Sequence, residues 1–329
     1  MPPIIETRDL TKRYGTVVAL DRLNLLIPAG AIYGFIGPNG AGKTTTMRIL
    51  TGLLAATSGQ ALVAGHDVAR EPMRVRRLVG WMPDSFGVYD NMKVWEYLDF
   101  FAASMGVPAL RRKQLVTELL DLVDLSHKRD AYVMELSRGM QQRLSLARTM
   151  AHEPQLLILD EPASGLDPRA RIELRELLKE LRVMGKTILI SSHILTELAE
   201  MCTHVGIIER GHLLVSGEVG EVLHALQPHK LVEIRVLARA EQALALLPGL
   251  PGVRAARRVA PLPDPVLDPA RPADDDGPAT LNVDYVGDGT GLSVVFKALA
   301  ASGVPVVHFA EQSSDLEDMF MQVTQGLAQ

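Results

Sequence analysis

The stretch Ala31-Ile32-Tyr33-Gly34-Phe35-Ile36-Gly37-Pro38-Asn39-Gly40-Ala41-Gly42-Lys43-Thr44 carries the decisive pattern. Its first part, Ala31–Ile36, is a short apolar run of the kind that forms a buried strand. The rest fits G-x-x-x-x-G-K-[ST] in full, and Lys43–Leu54 continues as a helix-like segment. Strand, glycine loop and helix together make a phosphate-binding device. A polyphosphate packs several negative charges into a small volume. Gly37, Gly40 and Gly42, with Pro38, Asn39 and Ala41 between them, let backbone N–H groups turn inward because no Cβ blocks the approach. The helix start adds its positive dipole end. Lys43 is expected to reach the β- and γ-phosphates, Thr44 to hold Mg²⁺ through its hydroxyl, and Thr45 to complete the binding set.

Downstream, Leu156-Leu157-Ile158-Leu159-Asp160-Glu161 is an apolar run ending in two acids. Such a run suits a central parallel strand. In sheets of that kind ligands sit at the carboxyl ends of the strands. Asp160 is thus placed to hold Mg²⁺ and its waters, and Glu161 to polarise an attacking water. Two acids after a strand can equally well cap a helix, and only their company with the phosphate loop favours the catalytic reading. Leu136-Ser137-Arg138-Gly139-Met140-Gln141-Gln142 opens another helix. Ser137 can cap it and Gly139 exposes backbone N–H groups, although a serine cap by itself is equally a structural feature.

The remaining periodicities alternate between strand and helix. Expected helices cover Gly139–His152, Pro168–Met184 and Ile194–Cys202; expected strands cover Gln155–Asp160, Thr187–Ser191 and Val205–Glu209. Residues from about Val88 to Arg129 read as helical. Trp95, Leu98, Phe101 and Ala102 form a stripe whose plainest explanation is helix core. Strands before Gly30 alternate in the antiparallel manner. The fold class is therefore α/β: a P-loop NTPase with a mainly parallel sheet, N-terminal antiparallel strands and a helical subdomain at about 85–135. The pattern changes after about Pro228. A strand–helix–strand–strand–helix–strand order from Leu231 to Phe309 predicts a small ferredoxin-like α+β domain, interrupted by a Pro- and Asp-rich insert at 261–278. A helix over Ser314–Val323 should follow. The expected domains are 1–228 and 229–329.

Composition narrows the class further. The 329 residues are 47% hydrophobic, enough for a sizeable core, and the formal net charge of -5 carries no basic excess of the kind a nucleic-acid binder shows. The one cysteine, Cys202, has no internal disulfide partner and reads as an inert packing residue suited to a reducing compartment. No leader peptide is read at Met1–Glu6. No uncharged apolar run approaches the ~18 residues of a membrane span. A membrane role would have to come through a partner.

These motifs, in this order over about residues 4–228, resemble the ATP-binding subunit of an ABC transporter. The resemblance assigns Tyr14, in Arg13-Tyr14-Gly15, to stacking on adenine. Leu136–Gln142 is similar to the signature motif, with Ser137 and Gly139 as its phosphate contacts. Asp160 and Glu161 fall on the magnesium-site aspartate and the catalytic glutamate, and Ser164-Gly165-Leu166-Asp167 on the loop that crosses to a second subunit. His193, in Ser191-Ser192-His193, falls on the histidine that contacts γ-phosphate. Two departures stand out. Asp84, in Gly80-Trp81-Met82-Pro83-Asp84, occupies the usual glutamine position, where it could hold Mg²⁺ through a water but, when ionised, could not donate a hydrogen bond. Arg138 and Met140 stand where Gly and Gln are commoner.

The signature variant and the tail through Asp315–Phe320 resemble exporter subunits whose permease is a separate polypeptide. The resemblance implies ATP and Mg²⁺ as cofactors and a homodimer with nucleotide between one copy's phosphate loop and the other's Ser137–Gly139. It also implies an integral-membrane permease partner, a peripheral place on the cytoplasmic face of the cell membrane, and no nucleic acid. The segment Asp84–Tyr97, with Phe86 and Tyr89, is expected to pass motion to that permease. A non-transport ABC ATPase acting on nucleic acid or ribosomes would carry tandem cassettes or coiled-coil insertions, which this chain lacks. A module that binds ATP without hydrolysing it is disfavoured by the presence of Lys43, Asp160, Glu161 and His193 together.

Overall fold

Ile32–Ile36 forms a strand with all its residues buried, as a central parallel strand covered on both faces requires. The computed structural model describes residues 2–84, 91–194, 198, 200–226, 230–259 and 277–312. It divides into two units, Met1–Val222 and Leu223–Gln329.

The first unit holds two sheets. One is antiparallel and uses β1 (Pro3–Tyr14), β2 (Val17–Leu23), β3 (Leu26–Pro28), β5 (Ser58–Val63) and β6 (His66–Asp67), in the order β2-β1-β5-β6 with β3 on β1. The other uses β4 (Ile32–Ile36), β7 (Val79–Met82), β8 (Leu156–Leu159), β9 (Thr187–Ser192), β10 (His204–Glu209) and β11 (His212–Glu218). Its order is β11-β10-β4-β9-β8-β7. Every pair in it is parallel except β10 with β11, a hairpin turned at Arg210 and Gly211. One core cluster joins Leu10, Leu23 and Ile27 of the antiparallel sheet to Tyr33, Phe35 and Ile158 of the parallel one.

Helices α1 (Lys43–Leu50) and α2 (Pro72–Leu78) flank these sheets in sequence, and α3 (Val94–Ser104), α4 (Ala109–Leu122) and α5 (Arg138–Thr149) contact one another. The helix expected over Lys43–Leu54 ends at Leu50, and Gly52 then takes a left-handed conformation (φ 69°) that a helix cannot continue through. The helical stretch expected over 88–129 is divided at Gly106, also left-handed, and at Pro108, which caps α4. Leu98 and Ala102 are buried as the stripe predicts. Trp95 and Phe101 lie half-buried, with the Arg129 and Arg148 guanidinium groups over their rings. Phe86, Tyr89 and residues 195–197 and 199 of the helix expected at Ile194–Cys202 lie outside the described residues. Helix α6 (Pro168–Val183) begins with Asp167 as its cap. A further helix, α7 (Val219–Leu226), leads out of this unit.

The second unit is β12 (Lys230–Val236), α8 (Ala240–Leu246), β13 (Val253–Val259), β14 (Ala279–Tyr285), α9 (Gly289–Ala301) and β15 (Val306–Gln312). Its strands order as β13-β14-β12-β15, all neighbours antiparallel, which is the ferredoxin-like arrangement. Along β14, Ala279, Leu281, Val283 and Tyr285 are buried while the residues between them are partly exposed, the period-two pattern of a sheet with one covered face. The insert through residue 276 and the helix expected at Ser314–Val323 lie outside the described residues.

One close contact fixes β4 against β10. The Tyr33 ring lies against Gly206, and its hydroxyl pairs with Ser216 Oγ at 2.7 Å. A Cβ at Gly206 would overlap the Tyr33 hydroxyl. We expect Gly206→Ala to cost about 1–3 kcal/mol in denaturant unfolding, with Tyr33→Phe in the same chain recovering part of that loss.

Candidate functional site

The phosphate loop leaves β4 at Ile36. Gly37 has no room for a side chain, since a Cβ would overlap the Ile208 carbonyl, and Gly42 sits at φ 112° against Ala19 and Leu20. Pro38, Asn39 and Gly40 form its exposed crest. Gly42 caps α1 with no side-chain bond to the helix start. The first N–H groups of α1, at Lys43, Thr44 and Thr45, are therefore not taken by a capping side chain.

Lys43 is buried, 6% exposed, which an ammonium tolerates only with partners. Its Nζ donates to Gly37 O at 2.5 Å and lies 3.4 Å from Glu161 Oε1. The Thr44 hydroxyl donates to Asp160 Oδ2 at 2.7 Å. Asp160, 2% exposed, receives the Ser191 hydroxyl on its other oxygen, Oδ1, at 2.6 Å. Each carboxylate oxygen thus has a hydroxyl donor, and the Asp160 N–H is anchored on Met82 O of β7 at 2.9 Å. Glu161 follows in a left-handed conformation (φ 49°), its N–H bonded to Ser191 Oγ at 2.8 Å. Its Oε2 lies 2.9 Å from His193 Nδ1, and Oε1 is buried with Lys43 as its ionic partner. Lys43, Thr44, Asp160, Glu161 and His193 are thus one connected cluster.

Tyr14 lies at the end of β1, 49% exposed, with Lys12 Nζ 5.1 Å from its ring centroid. Asp84 is exposed just beyond β7, the strand beside β8. Ser137 caps α5, accepting the Met140 N–H at 3.3 Å, and stands in a second cluster. There, Gly139 abuts Ala170 of α6, and Asp167 Oδ1 accepts the Ala170 N–H at 2.9 Å. Among the described residues, no hydrogen bond or ion pair joins Ser137 or Gly139 to Gly37–Thr44.

The two clusters are linked by contacts that motif reading missed. From one face of α5, Gln142 Nε2 donates to Pro162 O at 2.6 Å, and Arg138 Nη2 donates to Ser164 O at 3.2 Å. These are four residues apart, one helical turn, and both grip the loop after Glu161. Arg138 also lies over Gly165, itself at φ 67°, where a Cβ would overlap the guanidinium. The (i, i+4) spacing of Arg138 and Gln142 was visible in the sequence; their carbonyl partners were not.

The family described as ABC transporter matches residues 20–164. The bacitracin transport ATP-binding protein BcrA of Bacillus licheniformis is 44% identical over 65% of this chain and 69% of its own length. The Nod factor export ATP-binding protein I of Cupriavidus metallidurans is 36% identical over 72% of this chain and 75% of its own. The chain belongs to the ABC transporter ATP-binding proteins. Among solved structures, the ATP-binding subunit of an ABC transporter superposes with a TM-score of 0.61 at 28% identity, covering 68% of this chain and 92% of that one. The cbiO1 subunit of the cbiONQ complex from Clostridium perfringens gives 0.62 at 29% identity, covering 68% and 91%. This ABC ATP-binding protein is an ATP hydrolase of the exporter type. Among its described residues no helix is long and apolar enough to cross a membrane.

Cys202, the only cysteine, packs its sulfur beside Gly34, and burial pushes its thiol pKa up. Gln142 carries a clear expectation: Gln142→Leu leaves the Pro162 carbonyl without its donor and should cost about 1–3 kcal/mol of stability in urea unfolding.

Proposed function

We propose that the cluster around Asp160 is one half of a composite ATP-hydrolysing site that a second copy of the chain completes. The observation that carries this reading is the connected set Lys43, Thr44, Asp160, Glu161 and His193, separate from Ser137 and Gly139. ATP would lie on the loop Gly37–Thr44 with Tyr14 against adenine, and the partner copy would present Ser137 and Gly139 to the γ-phosphate.

The Thr44 and Asp160 oxygens, 2.7 Å apart, are hard donors suited to Mg²⁺. Thr44 would ligate the ion directly, with Asp160 and Asp84 holding its waters, and the ion would neutralise charge on the β- and γ-oxygens. Lys43 is balanced by Glu161. A polyphosphate carries more charge than one carboxylate and would draw Lys43 to itself, leaving Glu161 to orient a water. Water oxygen then bonds to the γ-phosphorus, the bond from that phosphorus to the β–γ bridging oxygen breaks, ADP leaves, and Glu161 takes the water proton. His193, bonded to Glu161 Oε2, would hold both that carboxylate and the γ-phosphate.

Two nucleotides bridging two copies would close them, and hydrolysis would release them. That cycle would drive a separate membrane permease, with this chain peripheral on its cytoplasmic side. Phe100 (48% exposed) and Leu110 (98% exposed), in the helical segment, are apolar groups suited to such a partner.

Glu161→Gln should retain ATP binding, accumulate an ATP-bound dimer on gel filtration and lose about 10²–10⁴-fold in turnover; undiminished turnover would remove Glu161 from the role of base. Lys43→Ala should weaken ATP binding itself, measured by titration. Replacing Phe100 and Leu110 together by Ser should reduce co-purification with the membrane subunit while sparing basal ATPase activity; full co-purification would place the docking surface elsewhere.

A further inference from the structure

We propose that Ser191 is a positioning residue for hydrolysis, holding the carboxylate of Asp160 and the backbone of Glu161 with one buried hydroxyl. The proposal rests on the reading of Asp160 as the metal-side carboxylate and Glu161 as the base. Ser191 is the penultimate residue of β9 and is wholly buried, 0% exposed. A hydroxyl has one proton to donate and lone pairs to accept with. The Glu161 N–H, 2.8 Å away, can only donate, so it takes a lone pair of Ser191 Oγ. The Ser191 proton is then directed to Asp160 Oδ1 at 2.6 Å. The hydrogen bonds run one way, from the peptide of the base, through Ser191, to the carboxylate that faces the metal position.

This arrangement does two things. It stops Asp160 from turning, since Oδ1 is held while Oδ2 stays toward Thr44. It also secures Glu161 in a left-handed conformation that a non-glycine residue adopts only under constraint. The neighbouring Ser192 is engaged elsewhere: its hydroxyl accepts the Ile194 N–H at 3.0 Å and its carbonyl accepts the Gly37 N–H at 3.4 Å. Groups that orient a metal-side ligand in this way commonly govern both affinity for the ion and rate.

The test compares the full chain with Ser191→Ala, Ser191→Thr and Asp160→Ala. A fluorescent ATP analogue is titrated in Mg²⁺ and again in EDTA, and the ratio of the two affinities is taken within each variant, so that a general loss of stability cancels. We expect Ser191→Ala to lose about 10–100-fold of the Mg²⁺-dependent gain together with a comparable fall in kcat, and Ser191→Thr to restore both. A wild-type ratio in Ser191→Ala, alongside a lost ratio in Asp160→Ala, would overturn the role of Ser191 alone. A wild-type ratio in Asp160→Ala would instead overturn the metal-side reading of Asp160, and the proposal with it.

Discussion

A carboxylate buried at the ends of three adjacent strands is the constraint around which this site is arranged. Asp160 stands just after β8, Ser191 near the end of β9, and Thr44 one residue into the helix that follows β4 and its loop. The order β4-β9-β8 places these strands side by side and parallel. Burying an ionised carboxyl without partners is prohibitively unfavourable. Two hydroxyls meet that need here, one on each oxygen, Ser191 from the end of β9 and Thr44 from the first turn of α1. Parallel topology is what makes this possible, because it brings every strand's carboxyl end to the same edge of the sheet.

The residue after Asp160 inherits the constraint. Glu161 leaves β8 through a left-handed turn, and the loop behind it is held at Pro162 and Ser164 by Gln142 and Arg138 of α5. Helix α5 is thus bonded to the loop that follows Glu161. Two hydrogen bonds one helical turn apart tie α5 to that loop. Arg138, a departure from the commoner glycine, has a concrete place in this contact: its guanidinium occupies the space left open by Gly165.

Much of this was legible beforehand. The phosphate loop declares itself because its chemistry is local: glycines, a lysine and a threonine act from consecutive positions. The all-apolar β8 and the alternation of β14 follow from whether one or both faces of a strand are covered. Helix ends were less legible. The stop after Leu50 and the break at Gly106–Pro108 depend on backbone conformations that periodicity does not encode. Ser191, Gln142 and the Lys43–Glu161 pair were invisible as contacts, since their partners lie 31, 20 and 118 residues away in sequence.

The amino-acid sequence by itself determined the class of chemistry and the family, because residue types at fixed short spacings suffice for a polyphosphate cradle and its acids. Tertiary structure alone decided how the charges are shared: that Asp160 is held by Thr44 and Ser191, that Glu161 balances Lys43, and that the Ser137–Gly139 helix start belongs to a different cluster. The physical reason is that a buried charge is stabilised by whatever the fold brings within about 3 Å, and strand order sets that choice, not proximity along the chain.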